Sequence, residues 1–128
     1  MSASSDILII EDDPILCDAL AEWLQGAGYS VQQTKDGRAG LAAINRALPA
    51  LVVTDIHMPG TSGTAVIAEV KEKHPEIPVI AISGLFNARH GVSVDAALAL
   101  GAARALSKPF KRADLLRAVA ELLGSPAP

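Results

Sequence analysis

The stretch Leu-Val-Val-Thr-Asp-Ile-His-Met-Pro-Gly, residues 51–60, is an apolar run that ends abruptly in one acid, Asp55. Strand-forming residues followed by a carboxylate and a Pro-Gly turn predict a buried strand that delivers a side chain to the edge of a sheet. An aspartate that caps a helix or closes a turn fits the same residues equally well. The role of Asp55 therefore depends on what the rest of the chain brings to that edge.

Length, composition and charge describe one globular domain. The chain has 128 residues, half of them apolar, and only 3% are aromatic, which predicts an aliphatic core. We expect the domain to span residues 1–124, with a short tail over 125–128 and no effector domain. No apolar run reaches the ~20 residues of a membrane span, and residues 1–5 lack a basic start. We therefore expect a cytoplasmic protein without membrane insertion.

Charge and metal-ligand residues exclude several other classes. A net charge of −3 argues against direct binding to nucleic acid, whose phosphates are bound by basic surfaces. The lone Cys17 cannot form an intramolecular disulfide, and we expect a partly buried thiol on a helix. The three histidines lack the paired spacing of a zinc site.

Short aliphatic strands alternate with amphipathic helices along the whole chain. The predicted strands are Ile7–Ile10, 30–34, Leu51–Asp55, 78–83 and Arg104–Ser107. The first predicted helix starts at Pro14 after the cap Asp13, stops at Gly26 or Gly28, and carries one apolar stripe of Ile15, Leu16, Ala19, Leu20, Trp23 and Leu24. The second carries Leu41, Ala42, Ile44 and Leu48, and the others span 64–73, Val94–Leu100 and Arg112–Leu123.

This alternation predicts an α/β fold with a parallel sheet covered by helices on both faces. In such sheets, ligands bind outside the carboxyl ends of the strands, where the strand order reverses. Polar side chains stand at those ends: Glu11, Asp12, Asp55, Ser83 and Lys108. Any one of them alone is more often a cap, a turn residue or a solvated charge. Together on one edge they predict a site.

The chemistry of these five side chains suggests phosphoryl transfer. Three converging carboxylates repel one another unless a cation lies among them, and hard oxygen ligands select Mg²⁺ or a similar ion. Asp55 would then be an oxygen nucleophile. The metal, Lys108 and the Ser83 hydroxyl would surround the phosphoryl oxygens during in-line transfer, which leaves an acyl phosphate on Asp55.

Four motifs together resemble the receiver domain of two-component response regulators. They are Leu-Ile-Ile-Glu-Asp-Asp-Pro at 8–14, Val-Val-Thr-Asp-Ile-His-Met-Pro-Gly at 52–60, Val-Ile-Ala-Ile-Ser-Gly at 79–84 and Leu-Ser-Lys-Pro-Phe at 106–110. The resemblance covers essentially the whole chain. It implies a flavodoxin-like, doubly wound (βα)5 fold with a five-stranded parallel sheet in the order 2-1-3-4-5.

The resemblance also implies a role for each site residue. Asp55 would accept phosphate from the phosphohistidine of a sensor histidine kinase or phosphotransfer protein. Mg²⁺ would be bound by Glu11, Asp12, Asp55 and the backbone carbonyl of His57. Ser83 would be the switch hydroxyl, and Lys108 would contact a phosphoryl oxygen, with the bond to Pro109 often cis. The output would reach a downstream effector protein through the face between the fourth and fifth helices.

Three features depart from the family pattern. The first acidic position, usually Asp, is Glu11, which we expect to reach the metal through water. Ala105 stands where an aromatic ring usually moves as the switch hydroxyl moves. The segment 85–93 looks longer than in most relatives. We therefore expect phosphorylation to alter mainly the loop 83–93 and the start of the fourth helix.

The leading functional prediction is a single-domain response regulator, a binding switch that docks onto a partner, relays phosphate or drains it from a kinase. It would catalyse only its own phosphorylation and dephosphorylation. One alternative is a small haloacid-dehalogenase-like phosphatase, although that class usually needs a second acid where this chain has His57. A second is a pseudo-receiver that docks without phosphorylation, against which the intact set of acids, hydroxyl and lysine counts.

Overall fold

Five strands and five helices alternate in the computed structural model, which describes residues 6–58, 60, 62–84 and 94–124. The strands are β1 (Ile7–Ile10), β2 (Val31–Thr34), β3 (Leu51–Asp55), β4 (Val79–Ser83) and β5 (Arg104–Ser107). The helices are α1 (Pro14–Gly26), α2 (Gly37–Arg46), α3 (Gly63–Lys73), α4 (Val94–Leu100) and α5 (Arg112–Leu123). The sheet is parallel throughout, in the order β2-β1-β3-β4-β5. The predicted fold class and strand order are confirmed.

The sheet separates two aliphatic clusters, because successive side chains of a strand point to opposite faces. Leu8 and Ile10 face a cluster completed mainly by α2 and α3, with Ala97 of α4. Ile7 and Ile9 face the other cluster, to which α1 and α5 contribute. Every position of β1, β3 and β4 is buried, whereas the edge strands β2 and β5 are partly exposed. The strands that end in the acids are therefore the best covered.

Local signals mark several helix ends. Asp13 is the N-cap of α1, and its carboxylate accepts hydrogen bonds from the amides of Ile15 and Leu16. Asp36 caps α2 in the same way. Gly101 follows α4 with a φ of 118°, a left-handed conformation that favours glycine.

Two predicted helix positions are wrong. Ile15 is 81% exposed rather than part of the buried stripe, because the first turn of α1 lies at the carboxyl edge of the sheet, where no core covers it. Leu48 lies outside α2, which ends at Arg46, and its side chain is exposed. Leu48 precedes a proline, and the residue before proline avoids the helical region.

Asp6 joins the amino ends of three strands. Its carboxylate accepts a hydrogen bond from the Ser30 amide at 2.9 Å, and its own amide donates to Ser30 Oγ at 2.8 Å. Its backbone carbonyl accepts from the amides of Ala50 and Leu51. The segments entering β1, β2 and β3 are therefore linked through one residue.

No helix in the described part of the chain is both long and apolar enough to cross a membrane.

Candidate functional site at the carboxyl ends of the strands

The strand ladder brings the acids of β1 and β3 to the same level. Ile10 pairs with Thr54, so Glu11 and Asp55 each follow one member of that pair. Both carboxylates are buried, with Glu11 1% and Asp55 4% exposed, whereas Asp12 is exposed. One carboxylate oxygen from each of the three acids lies within 4.8 Å of the others. The predicted convergence of the three acids is present.

Ser83 and Lys108 arrive at this edge from β4 and β5. Ser83 is fully buried and pairs with Ser107, the last residue of β5. The Lys108 amide donates to the Ser83 carbonyl at 2.9 Å, which continues the ladder one step past the strand. All five predicted residues therefore lie at one edge of the sheet.

Lys108 bridges two of the acids. Its Nζ donates to Asp55 Oδ2 at 2.6 Å and lies 3.2 Å from Glu11 Oε1. Burial alone would lower the pKa of Lys108. The hydrogen bond and the charge of Asp55, together with those of Glu11, outweigh burial and raise that pKa. Lys108 is therefore a cation at neutral pH, and it offsets part of the negative charge of the acids.

Glu11 is the electrostatically costly member of the cluster. Burial raises its pKa from 4.5 to about 7, and the charge of Asp55 adds to the increase, while the Asp13 amide and Lys108 oppose it. Its Oε2 accepts from the Asp13 amide at 3.0 Å. Its Oε1 is buried and has only the ion-pair contact with Lys108, without hydrogen-bond geometry to any described residue. A buried, incompletely satisfied oxygen marks a position where further positive charge is favourable.

These residues fit a hard divalent cation. Three carboxylates converge, one amine neutralises them only in part, and an unsatisfied oxygen is present. Oxygen ligands of this kind suit Mg²⁺. The amide of His57 donates to Asp55 Oδ1 at 2.9 Å and so fixes the carboxylate, while the side chain of His57 is exposed.

Two positioning contacts were not predicted from the sequence. The Asp13 amide, considered only as part of a helix cap, also orients Glu11. Gly63, the first residue of α3, donates its amide to the Ile56 carbonyl at 3.0 Å. A Cβ at this position would collide with the Asp55 carbonyl oxygen and would lie 2.6 Å from Ile56 Cα. A glycine directly after the capping Ser62 was the available signal.

Two of the departures from the family pattern have different outcomes. Ala105 lies in β5, pairs with Ala81 and is partly buried. The lengthened segment 85–93 lies outside the described residues, so the prediction about that loop stays a prediction.

The Lys108–Pro109 peptide bond is cis.

Comparison with known families identifies the family that this fold represents. The model of the response regulator receiver domain matches residues 7–120. The chain belongs to the receiver domain family of response regulators.

Similar proteins include regulatory proteins much longer than this chain. The nitrogen assimilation regulatory protein NtrX of Azorhizobium caulinodans is 36% identical over 91% of this chain and 25% of its own length. The transcriptional regulatory protein GlrR of Escherichia coli is 33% identical over 95% of this chain and 27% of its own length. The chain thus spans about a quarter of the length of these curated relatives.

Solved structures include isolated domains of the same size. The receiver domain of NtrX from Brucella abortus superposes with a TM-score of 0.84 at 34% identity, covering 92% of this chain and 98% of that one. A CheY-like receiver domain protein from Methanospirillum hungatei superposes with a TM-score of 0.82 at 28% identity, covering 94% of this chain and 93% of that one.

Proposed function

We propose that this domain accepts a phosphoryl group on Asp55 from a histidine kinase or a phosphotransfer protein, and that the phosphorylated form changes its affinity for another protein. The observation that carries the proposal is the Lys108 Nζ contact with Asp55 Oδ2 at 2.6 Å, inside a cluster of three converging carboxylates. Receiver domains interact with histidine kinases and effector domains, which supports both halves of the proposal.

The transfer step requires positioning more than covalent machinery. An Asp55 oxygen attacks the phosphorus of the donor phosphohistidine. The new O–P bond forms as the N–P bond breaks, and the electron pair of that bond stays on the imidazole. The products are an acyl phosphate on Asp55 and an unphosphorylated donor histidine.

The other site residues would stabilise the charge that develops on the phosphoryl oxygens. Lys108, already at hydrogen-bond distance from Asp55, would donate to one phosphoryl oxygen, and the buried Ser83 hydroxyl would donate to another. We assign Mg²⁺ to the oxygens of Glu11, Asp12, Asp55 and the backbone carbonyl of His57, where it would neutralise phosphoryl charge.

The test is phosphotransfer from a phosphorylated histidine kinase with Mg²⁺ present. Asp55→Ala should abolish labelling, whereas Glu22→Gln, which removes an exposed acid on α1, should be labelled like the wild type. Acid-labile, base-labile label on the wild type alone would support an aspartyl phosphate. Labelling that survives Asp55→Ala would overturn the assignment.

We infer that the output surface is the face formed by α4, β5 and α5. Leu98 and Leu100 of α4 are 42% and 39% exposed, so α4 offers apolar side chains to a partner on this face. An effector domain carried by a longer chain or a separate protein could occupy this face. The single-domain character stays a prediction.

We propose that the chemistry stops at Asp55 itself and that the domain does not turn over phosphate esters. The position two residues after Asp55 is the exposed His57, where phosphatases with an aspartate nucleophile usually place a second acid. Incubation with p-nitrophenyl phosphate and Mg²⁺ should release no more nitrophenol than the Asp55→Ala protein. Multiple turnovers per molecule would favour the phosphatase instead.

A further inference from the structure

Lys108 opens a short connection between β5 and α5, residues 108–111. Its first residue is held by the hydrogen bond from the Lys108 amide to the Ser83 carbonyl. Its last residue is held by the Lys111 amide, which donates to Asp114 Oδ2 at 3.1 Å as part of the α5 cap. Phe110 lies between these two anchors.

The Phe110 ring contacts the one tryptophan of the chain. Its centroid lies 6.5 Å from that of Trp23, with the rings at 75°, a favourable edge-to-face arrangement. Both side chains pack against the buried cluster on the α1 and α5 side of the sheet. Trp23 is nine residues beyond Pro14, ~13 Å along α1 from the first residue of that helix.

The connection also borders an open space. A cavity of about 330 Å³ lies between β5 and α5, and its walls include Ser107, Pro109 and Phe110. The Ala105 side chain packs against the cluster on the α2 and α3 side of the sheet, on the face away from Trp23. The connection is therefore packed against Trp23 through Phe110, and it has room to move into the cavity.

We propose that the Trp23–Phe110 contact positions Lys108 for phosphoryl transfer, so that both aromatic residues are positioning residues of the site. The inference rests on the proposed function. Without the Phe110 ring, the connection can shift into the cavity that Pro109 and Phe110 border. The Lys108 backbone then moves with it, and the 2.6 Å contact with Asp55 lengthens. Small displacements of this kind are costly because the charge on a phosphoryl group is stabilised only by donors already in place.

Phe110 could instead contribute only packing, in which case its loss would weaken the fold without acting through Lys108. The test therefore compares Phe110→Leu, which keeps an apolar side chain, with Leu116→Ala. Leu116 lies on α5 and packs against the same cluster, outside the connection. The reaction is Asp55 phosphorylation by acetyl phosphate at saturating Mg²⁺.

Phe110→Leu should slow phosphorylation about tenfold, as expected for a misplaced donor. It should not weaken Mg²⁺ binding measured by calorimetry, because the carboxylates are untouched. Leu116→Ala should react at the wild-type rate. In the Lys108→Ala background, Phe110→Leu should cause no further loss, because residues that act through one group are not additive.

Trp23→Leu leaves Phe110 in place and should reproduce the rate loss, which provides a second variant if Phe110→Leu folds poorly. Trp23 fluorescence should change when beryllofluoride is added to the wild type, and this change should be absent in Phe110→Leu. A wild-type rate in both variants would overturn the inference, as would equal losses with and without Lys108. Failure of the wild type itself to react on Asp55 would instead overturn the proposed function.

Discussion

β3 and β5 both deliver a residue to the site, but they are built differently. β3 is buried at all five positions and lies between β1 and β4, and its last residue is Asp55. β5 is an edge strand with no fully buried position, and Lys108 is the residue after it. Asp55 is therefore fixed by the core, whereas the cation that contacts it, Lys108, comes from the edge of the sheet.

This difference between β3 and β5 matches two separate requirements of the proposed phosphorylation switch. The carboxylates must stay in place to bind a metal and accept phosphate, which favours a strand with neighbours on both sides. A group that responds to the phosphate must be able to move, which favours an edge strand with few buried contacts. The free energy of unfolding should reflect this contrast in several variants, with effects from large to small.

The same truncation in the two strands should have unequal costs. Leu51 in β3 is fully buried, and Leu51→Ala should lower the free energy of unfolding by about 4 kcal/mol. Leu106 in β5 is partly buried, and Leu106→Ala should cost about 2 kcal/mol or less. Urea denaturation of both variants measures the difference. Equal losses would mean that β5 is as firmly held as β3.

Glu11 should make the metal-free protein less stable as the pH rises. Its pKa is raised from 4.5 to about 7 in the folded state, so folding binds a proton between these values. The stabilisation that results from this proton is fully present below pH 4.5 and is lost as the pH rises through 7. The free energy of unfolding should fall by up to about 3 kcal/mol over this range. In chelator, Glu11→Gln should remove this decrease. A wild-type profile that is flat over the same range would contradict the burial argument.

Glycines beside the two strand ends should differ in tolerance. Gly63→Ala places a methyl group against the backbone that carries Asp55 and should cost about 2 kcal/mol, with weaker Mg²⁺ binding. At Gly84, the nearest atom to an added Cβ is Lys108 Cβ at 3.8 Å, an ordinary contact, and Gly84→Ala should stay within about 0.5 kcal/mol. Thermal unfolding and Mg²⁺ calorimetry distinguish the pair, and a tolerated Gly63→Ala would show that the end of β3 is not rigid.

The charge pair on the outer side of β5 should contribute least. Arg104 and Glu121 lie 3.6 Å apart, and both side chains are about half exposed. Arg104→Ala should therefore change stability by no more than about 0.5 kcal/mol, because water and salt screen such pairs. Denaturation at low and high salt provides the check. A loss above 1 kcal/mol would mean that this exposed pair helps to anchor β5 to α5.

The sequence correctly predicted which residues lie at the carboxyl ends of the strands. It did not predict how deeply individual helix residues are buried. Asp55, Ser83 and Lys108 follow apolar runs, and parallel topology alone brings such residues to one edge. Periodicity placed Ile15 on the apolar face of α1, but it cannot show how far the sheet extends beneath a helix. Leu48 was a different error, since the proline after it was visible in the sequence.

The electrostatics of the site were less predictable. Glu11 was expected to differ from an aspartate only in its reach toward a metal. Its raised pKa results from burial, a tertiary property, and its orientation results from a backbone amide at Asp13 that no side-chain pattern reveals. The close approach of Gly63 to β3 likewise depends on how deeply α3 packs against the sheet.

The hydrogen bonds of Asp6 lie at the amino ends of the strands, opposite the edge that holds the carboxylate cluster. β3 extends ~15 Å from the Asp6 carbonyl to Asp55. A slip of one residue against β1 would turn the Asp55 side chain to the opposite face, away from Glu11. The hydrogen bonds from the Ala50 and Leu51 amides to the Asp6 carbonyl thus support, at the amino edge, the register in which Glu11 and Asp55 meet at the other edge. A substitution that disturbs this register would affect the proposed phosphoryl transfer without touching any residue of the carboxylate cluster.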